Sequence, residues 1–345
     1  MKKQLKPKKM CLGPTVMGLS VMLMAVGVSG LQAGSKPLEN EVIDVIHGLS
    51  APVGVVVSAN NKYIFVAEYS NNTVAVIDAA THQIIDNAIY AGTEAFGVEL
   101  TPNGKTLYVG NVGGVFGFTT NSFIQTQSLS NSDTTYGLAV SPNGKSLYVV
   151  DHTISGQISV FDTAGAGTFV KNIVVGSYPV DVAFTPNGKT AYVTNASDST
   201  VSVIDVKTSA VTGSPISGLD DPYGINITPN GETAYVLNVD GVGVIDTKTN
   251  MVTTSIDLSS YGSGTGDFME LTPDAKYLYV PVNNYPNLKG SLVVINTATN
   301  KVATPAPVAQ LGDYPTAIAI SPNGKYAYVT DTVDGTLTVI AISGD

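Results

Sequence analysis

The chain has 345 residues, 43% hydrophobic and only 13% charged, with 35 Gly, 18 Pro, one Cys and no Trp. All 17 basic residues are Lys, against 27 acids, for a net charge of −10. A chain so acidic and without Arg is ill suited to nucleic acid, anionic membrane surfaces or phosphate ligands, which are held by basic patches and bidentate guanidinium contacts, and a single Cys excludes an intrachain disulfide framework.

The first segment, MKKQLKPKK, carries five Lys and is followed by an apolar, small-residue run from Met10 to Gly30 and then by GLQAGS. A basic start, an apolar run and a small-residue exit at Ala33 read as a secretory signal peptide over 1–33. The alternative is an uncleaved membrane anchor, which the Gly and Pro content between Gly13 and Gly34 disfavours. Cys11 precedes the apolar run, so it does not fit a lipidation site. Cleavage would leave 12 Lys against 27 acids, a net charge of −15. The predicted location is exported: periplasmic, cell-surface or secreted, with no membrane insertion after signal removal. Residues 34–40 read as a short linker.

From residue 41 onward one phrase recurs. It reads SANNKYIFVAE from Ser58, TPNGKTLYVGN, SPNGKSLYVVD, TPNGKTAYVTN, TPNGETAYVLN, TPDAKYLYVPV from Thr272 and SPNGKYAYVTD from Ser321. Aligned on the leading Ser or Thr (58, 101, 141, 185, 228, 272, 321), the spacings are 43, 40, 44, 43, 44 and 49. A period in the low forties with strand-like content predicts one four-stranded sheet per repeat. In the fourth repeat, VDVAFT is the inner strand, PNGK a hairpin turn using Asn187-Gly188, TAYVTN the second strand, VSVID the third and VTGSPISG the outer strand. The seventh repeat ends at Asp345 without an outer strand, and EVIDVIHGLS (41–50) reads as the missing one. The fold class predicted is all-β: a single seven-bladed β-propeller over 41–345, of four-stranded antiparallel blades, closed by the N-terminal strand, which removes exposed sheet edges.

The string Tyr192-Val193-Thr194-Asn195, its near copies Tyr235-Val236 and Tyr328-Val329-Thr330-Asp331, and the third strands VSVID (201–205) and VAVID (74–78) resemble the YVTN-type β-propeller repeat family. The resemblance covers 41–345. It implies an exported or surface-associated bacterial or archaeal protein, sometimes of cell-surface layers, and it speaks for the fold and little for the function, since the shared motif is structural.

Within the motif, Asp78, Asp162, Asp205 and Asp246 are expected to bond the turns that follow them, and the Tyr and Val to pack between blades. Glu68, Asn111, Asp151, Asn195, Asn238 and Asp331, which end the second strands, read as turn caps or as a polar funnel around a channel. The departures from the repeat are more informative. Two residues before the aligned Ser/Thr, Glu99, Asn226 and Glu270 replace small or apolar residues; four before it, Asp181 does. Such groups face a water-filled channel or bond neighbouring backbone, or they line a cation site, with Ca²⁺ the divalent ion considered; no other cofactor is evident. The sixth repeat has a Gly-rich entry and the longest second-to-third strand loop, PVNNYPNLKGS (281–291), so Asp267, Asn283, Asn284, Tyr285 and Lys289 form a predicted binding lip. Asp133, Tyr178, Asp220, Asp221, Asp313 and Tyr314 extend that face with acids and tyrosines.

No nucleophile elbow, HExxH, phosphate loop or CxxCH is present. Of three His, only His152, beside Asp151, is placed for acid–base work. The lactonase and quinoprotein propellers use Arg, His or Trp, and Arg and Trp are absent here. The function predicted is a binding scaffold that engages a protein or glycan of the cell envelope through one acidic loop face. The alternative is a channel-centred lactonase, hydrolase or lyase using Glu99, Asp181, Glu270 or a divalent cation they hold.

Overall fold

The computed structural model describes residues 39–262, 264–284, 289–303 and 306–343. Every regular element among them is a β-strand. The strands follow the repeat, and in all seven copies of the phrase the same hydrogen bonds form the turn. The leading hydroxyl donates to the carboxamide or carboxylate oxygen two residues on, as in Thr101 to Asn103, Thr185 to Asn187, Thr272 to Asp274 and Ser321 to Asn323, and likewise from Ser58, Ser141 and Thr228. That oxygen accepts the amide two residues further along, such as that of Lys105 or Lys189. The phrase is therefore a self-contained Asx-type turn that starts the second strand.

The strands pair into six hydrogen-bonded sheets, all antiparallel. Four of these have four strands, as expected of one repeat each. The repeats of Thr101 and Ser141 depart from that pattern. Strand Gln125–Val140 pairs with Thr106–Thr119 through its first part and with Ser146–Asp151 through its last, joining two repeats in one six-stranded sheet. No turn-forming Pro or Gly breaks the run SLSNSDTTYG until Gly137, so outer and next inner strand continue as one. In the sixth repeat the inner strand splits into Gly264–Thr265 and Glu270–Leu271, and the outer into Lys301–Val302 and Ala309–Asp313.

The core lies between sheets. Among the described residues it divides into seven hydrophobic clusters, each drawing on two successive repeats or on the first and last. Tyr108, Tyr148, Tyr192, Tyr235, Tyr279 and Tyr328 of the recurring phrase, with Phe65 in the first copy, are among the largest fully buried side chains. Replacing Tyr328 with Ala should cost about 3–5 kcal/mol. The buried phenols reach across to the next repeat. Tyr192 donates to Asn250 Oδ1 at 2.7 Å and Tyr235 to Asn300 Oδ1 at 2.9 Å, both in third-to-fourth strand turns.

The same logic explains closure. Strand Glu39–His47 pairs antiparallel with the last strand, Thr336–Ser343. Tyr279 then finds Asn40 Oδ1 at 2.9 Å, where its homologues find the turn Asn of the following repeat. Asn40→Ala is therefore expected to lower the melting temperature by about 2 °C, since a net hydrogen bond is worth about 1 kcal/mol; a thermal scan checks it. First and last sheets also meet through Thr330 Oγ1 donating to Val53 O (2.8 Å), Thr332 Oγ1 to Pro52 O (2.7 Å) and the His82–Asp44 contact (2.8 Å). The all-β propeller expected from the repeat is what these contacts build.

Candidate functional site

The inner strands crowd one another where the repeat has Gly four residues before the aligned Ser/Thr. A Cβ on Gly54 would sit 2.3 Å from Phe96 O, and one on Gly97 2.2 Å from Tyr136 O. The small residue there lets neighbouring inner strands touch backbone to backbone. The fourth repeat carries Asp181 at that place, and its carboxylate replaces the contact with hydrogen bonds. It accepts Ile225 N of the next inner strand at 3.0 Å and Val182 N at 2.8 Å.

The polar residues two before the Ser/Thr act in a related way. Asn226 donates to Met269 O at 3.0 Å and accepts Leu271 N at 3.2 Å, tying its sheet to the next. Glu99 accepts a hydrogen bond from Val140 N, also one inner strand on. Glu270 is different: no described group hydrogen-bonds its carboxyl. These four residues line a cavity of about 410 Å³ at the inner strands, with Gly54, Gly97, Gly137, Val56, Ala139, Ala183, Phe268, Ala317 and Ala319.

Burial dominates the electrostatics. Desolvation, then the charges of Glu270 and Asp181, push the Glu99 carboxyl up to about 8, despite the Val140 amide. Glu270 is pushed up to about 8 by desolvation and by Asp181. Asp181 rises only to about 6 because its two backbone amides favour the anion. Side-chain surfaces here are half-buried, since they border the cavity, but the cavity lies deep enough that the charged forms are poorly solvated. Among the described residues, no group of three His, Cys, Asp or Glu converges closely enough to hold a metal ion.

Above the cavity lies an aromatic mouth. Phe268, a cavity residue, is 6.4 Å from Phe96; Phe96 lies 4.3 Å from Tyr136; Tyr136 stacks on His152 at 4.3 Å; and His152 meets Tyr178 edge-on at 5.3 Å. His152 Nδ1 donates to Pro179 O at 2.9 Å, which fixes the ring within this run. Asp267 is pushed up to about 6 by burial, and its charge in turn raises Tyr136 and Tyr223, as does Tyr314. In both phenols desolvation is the larger cause. Several entry residues hold the left-handed conformation although they are not Gly: Glu94 (φ 54°), Tyr178 (48°), Asp221 (45°) and Tyr314 (58°). Each costs about 1 kcal/mol or more. Backbone hydrogen bonds such as Ala196 N to Tyr178 O and Thr332 N to Tyr314 O compensate that cost and present these side chains on one face.

The predicted residues thus separate. Glu99, Asp181, Asn226 and Glu270 share the cavity. The described residues of the predicted lip take the following places. Asp267 lies in at the mouth, its backbone bonded to Gly224 and Thr316. Asn283 pairs with Gly264 at a sheet edge, with Asn284 just beyond it. Lys289 is held by Asp313 (3.2 Å) and Asp334 (3.1 Å). Tyr285 and the Asp133 side chain lie outside the described part of the structure. The polar funnel is also corrected: Glu68, Asn111, Asp151, Asn195, Asn238 and Asp331 are all buried. Asp331, for example, accepts from Gly312 N, Thr336 and Thr338, and Glu68 from Ser50 N and Thr73, so they bind strands together. Third-strand Asp78, Asp162, Asp205 and Asp246 cap their turns as expected. Missed at the sequence level were Phe96, Tyr136 and Tyr223. They stand five residues before the aligned Ser/Thr, a column shared with Asp267, and an aromatic column at the entry of inner strands was the available signal.

No protein-family model and no curated protein matches the sequence. Among solved structures, the fold is similar to Kuenenia stuttgartiensis hydrazine synthase, with a TM-score of 0.73 and 19% identity, over 92% of this chain and 100% of that one. At that identity the likeness concerns the fold alone, and 1660 solved chains match the structure, so the architecture by itself nominates no activity.

Proposed function

We propose that the chain is an exported binding scaffold, a seven-bladed propeller of the YVTN repeat type, which engages a protein or glycan of the cell envelope through its mouth face. The seven interlocking clusters and the closing strand support seven blades. The reading of 1–33 as a signal peptide supports export. The observation that carries the function is the mouth: tyrosines and acids from five entry loops or strand ends (Tyr69, Glu94, Tyr178, Asp221, Tyr314) are gathered on one side, several at the cost of left-handed backbone. Tyr69, Tyr178 and Tyr314 expose 38%, 38% and 42% of their surface, which puts part of each side chain at the solvent side of this face. Capture from envelope fractions tests this reading. The wild type is expected to retain one partner, and the Tyr69→Ala, Tyr178→Ala, Tyr314→Ala triple variant to lose it. Equal retention by the variant, or no retention by either, would contradict it.

The perturbed acids favour one second reading, a channel hydrolase. Carboxyls raised to about 8 are poised for proton transfer near neutral pH. Turnover of an ester or lactone panel, abolished by Glu270→Gln, would establish it in place of the scaffold.

A further inference from the structure

The cavity is walled by Gly, Ala, Val and Phe268, with Glu99, Asp181 and Glu270 as its ionisable groups; no Lys, Arg or His lines it. Asp181, Asn226 and Glu99 have their oxygens engaged by backbone amides of the next inner strand. The Glu270 carboxyl has no such tie, although it stands at the same place in the repeat as Glu99 and Asn226. It is a half-buried acid lining a largely apolar space, with no hydrogen-bond partner among the described residues, a position that a cationic ligand would stabilise. The way in is aromatic: Phe268 belongs both to the cavity wall and to the run Phe96, Tyr136, His152, and aromatic faces favour an approaching cation. An ammonium group on an apolar chain would satisfy separated acids and small apolar walls at once.

We propose that the channel binds a small aliphatic ammonium ion, with Glu270 as its principal counter-charge and Glu99 and Asp181 as secondary ones. The apolar chain lies against Val56, Ala139, Ala319 and Phe268. The volume, about 410 Å³, falls in the range of small-molecule sites. Binding is coupled to protons. The acids facing the ligand are Glu99, Asp181 and Glu270; the other inner strands present Val56, Ala139 and Ala319, which do not titrate, and the mouth adds Asp267, Tyr136 and Tyr223. An ammonium ion entering a site whose glutamates are protonated at neutral pH displaces a proton, so affinity rises with pH until the acids are ionised.

Titration calorimetry with n-pentylamine, and with n-pentanol as its neutral counterpart, tests the proposal on the full folded protein. Pentylamine is expected to bind with one site, about tenfold or more tightly at about pH 9 than at about pH 6, releasing a proton whose heat depends on the buffer. Pentanol is expected not to bind. Glu270→Gln should weaken pentylamine by about tenfold or more, and Glu270→Asp by less, each with a cooperative melt. Absence of pentylamine binding, equal binding of pentanol, affinity independent of pH, undiminished affinity in Glu270→Gln, or displacement of pentylamine by Ca²⁺ at one site would each overturn it.

Discussion

Deletion of residues 39–50 is expected to lower stability by at least about 5 kcal/mol and to leave a chain that aggregates on mild heating. The strand Glu39–His47 supplies the whole partner edge of Thr336–Ser343, a register running from Glu39 opposite Ser343 to His47 opposite Thr336. Its loss exposes a long edge strand, the commonest template for intermolecular pairing. It also removes Ile46 and Leu49 from the cluster between first and last sheets, worth about 1.5–3 kcal/mol each. The Asn40 acceptor of buried Tyr279, the Ser50 amide on Glu68 and the Asp44–His82 pair go with them. Thermal melting and light scattering on the truncated protein decide the matter. A soluble monomer with an unchanged melting temperature would contradict closure by this strand.

The second large effect is on pH. Glu99 and Glu270 are raised from 4.5 to about 8, and Asp181, Asp267 and Asp331 from 3.8 to about 6, with burial the first cause in each. A group that holds its proton more firmly in the folded state makes folding less favourable as pH rises, because the unfolded chain ionises first. Below about pH 4 these acids are protonated in both states and contribute nothing to the difference. Between about pH 4 and pH 8 stability falls, and above that the loss is complete. Glu99 and Glu270 each withdraw on the order of 3 kcal/mol over that window, shared between them because they repel one another. Asp78, Asp205 and Asp246 act oppositely: turn amides and hydroxyls lower them, so they lend stability above about pH 4 that is lost toward acid. Being exposed, they contribute little. The melting temperature is therefore expected to peak in mild acid and to fall by about 5 °C or more by about pH 9. Glu270→Gln should melt higher than wild type at pH 9 and flatten the profile. A wild-type profile that rises steadily to pH 9, or a Glu270→Gln profile identical to it, would contradict buried, protonated acids.

Much of this was legible in the sequence, for a physical reason. A repeat displays its structural residues by repetition, so Asn187-Gly188, Asp205 and Tyr192 could be assigned to turn, cap and core from seven aligned copies. Departures from the repeat then marked Glu99, Asp181, Asn226 and Glu270, which the fold brings to one cavity. Their separate roles were not legible. That Asp181 and Asn226 reach the backbone of the next inner strand, while Glu270 does not, depends on how tightly neighbouring strands approach, and this is fixed by Gly97, Gly137 and Gly224 together with the ring. The ion pairs of the loop at 281–291 were not legible from its length: Lys289 meets Asp313 and Asp334, whose nearness depends on how the chain folds. The continuity of Gln125–Val140 was hidden as well, because polar Ser, Asn and Thr read as a loop when cross-strand partners are unseen. Phe96, Tyr136 and Tyr223 were not legible as site residues, because aromatic residues at a strand entry read as core.

One crystallographic map of the channel, from crystals grown at about pH 8 and soaked in n-pentylamine, tests the central claim most directly. The expected map shows the amine in the cavity, its nitrogen beside Glu270 and its chain on Phe268. A metal ion at carboxylate bonding distance, a protein side chain filling the cavity, or an amine bound elsewhere with Glu270 left untouched would contradict it.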